Sequence, residues 1–219
     1  MIIFLTVCLL VAFPSFFLRV ASNKFDEWLE ILGLALLLFG LLLRVSSRGY
    51  KSEHSGNGHA LVKTGPYALV RNPMYLGIFS SGLGLILLLF QWWILGLFMI
   101  FMLVRYVTLI VKEERLLVDC FGEEYLDYQK KVPRLFPHPS VLIQKDIRTY
   151  LPLKMAWMKR EMNSIVVLLV MGLGLEYWEG TRLKNHPAAM TEMVIFVAMI
   201  ALFFSFTIFL ARSHEKNPD

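Results

Sequence analysis

Three polar clusters interrupt an otherwise apolar chain: HALVKTGPYALVRNPMYLG at 59–77, the adjacent acids Glu113 and Glu114, and FGEEYLDYQKKVPRLFP at 121–137. In the first, Gly65 and Asn72 each precede a proline, which pushes them toward extended backbone and brackets Tyr67 to Arg71 between two rigid corners. Backbone N–H and C=O groups in such a segment have no helical partner and must be met by protein, water or a bound ligand. A polar cofactor would satisfy them. Glu113 and Glu114 stand where an apolar run ends; they suit an ammonium group, or else solvation and pairing with Lys112 and Arg115. Tyr67 and Tyr75 can anchor an interface or offer ring faces to a cation. His59 reads either as a loop histidine or as a ligand. Arg105 lies within an apolar run, where a charge is either functional or part of a structural ion pair.

The elements that must position these residues are membrane helices. Of 219 residues 57% are hydrophobic and 18% charged, and the mean hydropathy of +0.58 lies outside the usual range of a soluble domain. Apolar runs recur at 2–19, 28–43, 74–90, 91–111, 162–178 and 188–211, each near the roughly 20 helical residues that cross a bilayer. The expected fold is therefore all-α, with about six transmembrane helices. The first run lacks a basic n-region and a small-residue cleavage site, and is read as a retained helix rather than a signal peptide. Basic residues mark the cytoplasmic side of short loops. Arg44, Arg48, Lys51, Lys63 and Arg71 fall in one such stretch, ten more Lys and Arg fall in 112–160, and Arg212 and Lys216 close the chain. Six spans with both termini and the polar clusters on the cytoplasmic face of a bacterial inner or ER-type membrane reproduce this pattern. The net charge of +5 then follows the positive-inside rule, with attraction of lipid head groups and no nucleic-acid partner. Cys8 lies in the first run and Cys120 in a charged segment, so neither a disulfide nor a Cys-rich metal site is expected, and no metal is called for.

Residues 1–139 read as a core of four spans plus a cytoplasmic helix, and 140–219 as an interfacial linker with two further spans. Phe90, Gln91, Trp92 and Trp93 make a tight hairpin between the third and fourth runs, the Trp pair marking the outer interface. Residues 44–73, rich in Gly and Pro, show no helical periodicity and read as an ordered loop. After the fourth run, Leu116, Leu117, Cys120, Phe121, Tyr125 and Tyr128 recur at three- and four-residue spacings, predicting a helix that leaves the membrane and ends at Pro133. No GxGxxG follows a strand; Gly82 and Gly84 lie within a span and serve helix packing.

These motifs resemble those of the isoprenylcysteine carboxyl methyltransferase and phospholipid N-methyltransferase superfamily. There, HxLVxxGxYxxxRHPxYxG is followed by a hydrophobic hairpin and then by EExxLxxxFGxxYxxYxxxVPxxxP; this chain reads HALVKTGPYALVRNPMYLG and EERLLVDCFGEEYLDYQKKVPRLFP. The resemblance spans roughly residues 28–137. It implies an S-adenosylmethionine site built from His59, Ala60, Leu61, Val62, Tyr67, Arg71, Asn72, Pro73, Met74, Tyr75, Glu113 and Glu114. The physical chemistry agrees: Glu113 suits the ammonium, Tyr67 and Tyr75 the sulfonium or adenine, and Arg71 the carboxylate. The acceptor would be a lipid-like molecule entering from the bilayer, methylated on a carboxyl, amine or hydroxyl. Two departures concern catalysis. Asn72 replaces the His of RHPxY and keeps a hydrogen-bonding side chain without a titratable one. Leu109 stands where the prenylcysteine enzymes carry a basic residue one turn before the first Glu, with Arg105 as the nearest substitute. Arg105 and Asn72 are accordingly the candidate catalytic residues. The competing readings are an NADPH-dependent sterol-type membrane reductase, whose family shares a GxYxxxRxPxY stretch, and a non-catalytic membrane scaffold of the same fold.

Overall fold

The computed structural model describes residues 24–137 and 147–161, with Phe16 and scattered positions from 165 to 209. The runs expected at 2–19, 162–178 and 188–211 lie wholly or largely outside the described residues, as does the linker over 140–146. Among the described residues the regular elements are helices, without strands. Helix α1 spans Lys24–His54, α2 Pro66–Leu69, α3 Pro73–Leu89, α4 Trp92–Phe121 and α5 Glu123–Lys131. A single 3₁₀ turn, Gly56–Gly58, follows α1.

α1 and α4 are long and apolar enough to cross a membrane, and α3 is a shorter apolar helix of 17 residues. Helix α1 has 31 residues and is about 46 Å long at 1.5 Å per residue, against a hydrocarbon core of about 30 Å. The expected boundary near residue 43 is thus corrected: the helix runs on to His54, and the stretch read as loop begins at Ser55. Arg44, Arg48 and Lys51 broke the apolar pattern there, but they continue the helix as a polar, paired turn rather than ending it. Phe90 and Gln91 alone separate α3 from α4, making the expected hairpin tight. The helix expected to continue past α4 is broken at Gly122, whose φ of +51° is a left-handed conformation that favours glycine and turns the chain into α5.

Contact between α1 and α3 is close because glycines meet in pairs. A Cβ on Gly40 would stand 2.5 Å from the Gly77 carbonyl oxygen, and one on Gly84 2.4 Å from the Gly33 carbonyl oxygen. The two pairs lie seven residues apart on each helix, two turns on one face. Small residues matter in an apolar surround, where helices associate by close packing rather than by exclusion of water. Around this seam lie Leu34, Leu37, Leu38 and Leu41 of α1 with Leu76, Leu88 and Leu89 of α3. The segment 150–161 closes the core at its polar end through Leu151, Leu153, Trp157 and Met158. Helix α4 differs: Leu97, Ile100, Phe101, Leu103 and Val104 are all exposed, an apolar surface that calls for a bilayer or further helices.

Replacing Gly84 with valine should therefore lower stability by about 1–3 kcal/mol through overpacking. Gly96 has open space around its Cβ position, so Gly96→Ala should be neutral. Thermal unfolding of both variants in detergent checks the contrast.

Candidate functional site

At the polar ends of α1, α3 and α4 lies a cavity of about 280 Å³. Lys51, Ser55, Gly58, Ala60, Leu61 and Val62 form one side, with Tyr67, Arg71, Asn72, Pro73, Met74, Tyr75 and Ile78 from α2 and the start of α3. Glu113, Leu117 and Phe121 of α4 and Tyr125 and Tyr128 of α5 complete it. Two motifs separated by the apolar helices α3 and α4 thus meet in one place, because the turn at Phe90 and Gln91 brings the chain back to the end where α3 began.

The backbone between the motifs is met by protein. Arg71 N donates to Pro133 O at 2.8 Å and Asn72 N to Arg134 O at 3.2 Å, while Asn72 Nδ2 donates to the same Arg134 carbonyl at 3.3 Å. The VPRLFP stretch thereby holds RNP as a neighbouring strand would. Gly65 departs from the expected extended form and takes φ +59° beneath the Tyr50 ring, where a Cβ would stand 2.9 Å from the ring. Tyr50 Oη and Thr64 Oγ1 share a hydrogen bond of 2.7 Å. Tyr128 Oη donates to Tyr67 O at 2.6 Å, tying α5 to α2.

The adjacent acids face opposite ways. Consecutive helical residues are about 100° apart, so Glu113 turns to the cavity and Glu114 behind it. Glu113 accepts from Tyr75 Oη at 2.9 Å and pairs with Lys51 Nζ at 3.4 Å. Glu114 is 5% exposed; it accepts from Arg134 Nη2 at 2.7 Å and Nε at 3.2 Å and from Asn72 Nδ2 at 3.5 Å. Arg71 Nη1 stands 3.2 Å from Glu114 Oε1 as an ion pair, yet it is misaligned for a hydrogen bond, and Arg71 Nε has no partner. Arg71 thus lines the cavity with its charge met by Glu114 from behind and with hydrogen-bonding capacity left at Nε.

Burial, with Glu113 and Tyr75 nearby, pushes the Tyr67 phenol above its ordinary value, and burial beside Tyr125 and Tyr67 does the same for Tyr128. Both remain neutral hydroxyls with unionised ring faces.

The structure brings together most of the residues expected at the site, but not all. His59 is exposed, and its neighbours Gly58 and Ala60 line the cavity instead. Glu114 does not line it, because Arg71 and Arg134 draw it inward. Arg105 is exposed and does not line this cavity; its neighbour Tyr106 takes the inward face, leaving Arg105 about 100° round the helix. Lys51 was missed, since a helix thought to end near 43 could not carry it to Glu113. The signal was the four-residue spacing of Ser47, Lys51 and Ser55, visible only once the helix is extended.

Beside the cavity runs a second, apolar cleft of about 270 Å³. Tyr75, Leu76 and Phe79 of α3, Met99, Met102, Leu103, Tyr106 and Val107 of α4, and Leu135 and Phe136 line it. Tyr75 belongs to both spaces, and its ring meets Tyr106 edge-on with centroids 5.2 Å apart.

Residues 28–124 match the protein-family model described as phospholipid methyltransferase. Among curated proteins, the protein-S-isoprenylcysteine O-methyltransferase of Xenopus laevis is 34% identical over 118 residues, covering 50% of this chain and 41% of that protein. The Homo sapiens protein of that name is 34% identical over 119 residues, covering 50% and 42%. The Schizosaccharomyces pombe protein is 33% identical over 133 residues, covering 57% and 55%. The chain thus spans about half the length of the curated relatives it matches. No solved structure matches the chain at a significant level. Motifs, cavity and family match overlap on one segment, and residues 28–124 are similar to the phospholipid methyltransferases and to the protein-S-isoprenylcysteine O-methyltransferases.

Proposed function

We propose that the chain is an integral-membrane methyltransferase that takes its methyl group from S-adenosylmethionine and passes it to a lipid-like acceptor. One observation carries this reading. A single cavity is lined by a carboxylate, Glu113, and by a largely buried guanidinium, Arg71, whose Nε makes no hydrogen bond. That donor set fits a ligand with an ammonium and a carboxylate, as the amino-acid end of S-adenosylmethionine has. Tyr67 and Tyr75 add ring faces for a sulfonium, and the backbone at Leu61 and Val62 adds hydrogen-bonding groups for an adenine edge. When bound, S-adenosylmethionine supplies an electrophilic methyl carbon on sulfur.

The chain's own work is then alignment and exclusion of water. Glu113 orients the donor's amino end and is itself held by Tyr75 and Lys51. Arg71 is kept in place by Glu114 from behind. Asn72 spends its amide on the Arg134 carbonyl and on Glu114, so it supports the corner rather than acting as a base. The apolar cleft accepts the acceptor's hydrocarbon part, with Tyr75 and Tyr106 at its junction with the cavity. Six spans with the cavity on the cytoplasmic face accord with the basic residues around it and let a polar donor arrive from the cytosol while an apolar acceptor enters from the bilayer.

Isothermal titration of the detergent-purified protein with S-adenosylhomocysteine tests the donor. Binding is expected, with Glu113→Gln weakening it about tenfold or more at little cost in stability. Glu114→Ala should act the other way, lowering stability by about 3–5 kcal/mol by stranding buried Arg71. No binding by a well-folded wild type, together with a thermal shift on adding NADPH, would move the assignment to the reductase. For the acceptor, Phe79→Trp should fill the cleft and abolish methyl-tritium labelling of membrane lipids from S-adenosylmethionine while leaving S-adenosylhomocysteine affinity within about threefold. Labelling undiminished in that variant would remove the acceptor from the cleft.

A further inference from the structure

The last turns of α1 carry two working faces. One looks into the cavity: Lys51 pairs with Glu113 at 3.4 Å, and Tyr50 packs over Gly65 and bonds Thr64. The other is gripped by 150–161, a segment beyond the residues that match the family. Ser46 Oγ donates to Pro152 O at 2.7 Å inside the core. Gly49 lies under Trp157, so closely that a Cβ would stand 2.2 Å from the indole. Trp157 Nε1 donates to Glu53 at 2.6 Å, and Lys154 Nζ reaches the same carboxylate at 2.5 Å. Glu161, 6% exposed, receives both Arg44, at 3.1 Å, and Arg48.

We propose that residues 150–161 brace the donor cavity from behind, with Glu161 and Trp157 as positioning residues that fix the end of α1 and through it Lys51 and Tyr50. The reasoning is mechanical. A helix end has four unpaired carbonyls and frays unless its side chains are held. On its cavity face the end of α1 is held through Lys51, Tyr50 and the following turn. Glu161 grips α1 at two positions one turn apart, Arg44 and Arg48, and Trp157 with Glu53 grips it one turn further on. These contacts remove both rotation about the helix axis and fraying. Because Glu161 is buried and doubly paired, it carries more of the grip than the half-exposed Glu53–Lys154 pair. The proposal rests on reading the cavity as the donor's site, but the brace is also visible without any ligand.

Two measurements on the full chain in detergent test it. Hydrogen exchange of the 49–58 backbone reads the brace alone, and S-adenosylhomocysteine titration reads its effect on the cavity. In Glu161→Gln the amides at 49–58 should exchange about tenfold faster, and the dissociation constant should rise about tenfold at temperatures well below unfolding. Glu161→Asp, which keeps the charge, should recover most of both. Glu53→Gln alters an exposed pair and leaves the fold intact; it should show the same changes at about threefold. Unchanged exchange and affinity in folded Glu161→Gln, or in Glu53→Gln if the former does not fold, overturns the proposal. Faster exchange with no binding even by the wild type leaves the brace standing and overturns the donor assignment instead.

Discussion

Glu114 is the residue on which the site's architecture depends. Its carboxylate is buried at the polar end of α4 and meets Arg71 and Asn72 from the first motif and Arg134 from the second. A buried carboxylate is tolerated only when its charge and lone pairs are matched, and here the matching groups come from two segments, Arg71 with Asn72 and Arg134, that are distant in sequence. The backbone bonds from Arg71 to Pro133 and from Asn72 to Arg134 follow from the same approach. Glu114 supplies the counter-charge that keeps the Arg71 guanidinium at the cavity wall.

Adjacent acids on a helix divide the work by geometry alone. Glu113 stays at the cavity with a Tyr75 hydroxyl and a Lys51 ammonium, partly exposed and able to exchange partners. Glu114 is committed to structure. The same rotation of about 100° per residue separates Tyr106, at the cleft, from Arg105, on the outer surface. Arg105 lines neither space, yet it stays within electrostatic reach of Tyr75 and Tyr106.

The relative placement of the helices along their axes comes from elsewhere. The paired glycines of α1 and α3 bring the two backbones into contact, which sets the depth of Tyr75 relative to Lys51. Segment 150–161 then fixes the end of α1 from its far side. Between the helices and that brace, Lys51, Tyr75 and Glu113 form a chain of contacts from α1 through α4 to α3. The apolar cleft opens beside it because α4 packs against α3 over only part of its length.

Sequence by itself determined the helical character, the tight turn at Phe90 and Gln91, and the membership of 59–77 and 113–137 in one site, since these follow from apolar run lengths and from residue types whose backbone and charge demands are local. It also singled out Arg71, Tyr67, Tyr75 and Glu113, four of the residues that line the cavity. Only the tertiary structure decided that Glu114 turns away from the cavity, because that depends on the cations that arrive from Arg71 and Arg134. The extension of α1 to His54 was equally hidden: its polar turn is stable through Glu53, Trp157 and Glu161, partners up to more than a hundred residues apart in the chain, and no local pattern can register such pairing. Gly65 taught the same lesson at the scale of one residue, its left-handed backbone being set by the Tyr50 ring above it rather than by the proline that follows.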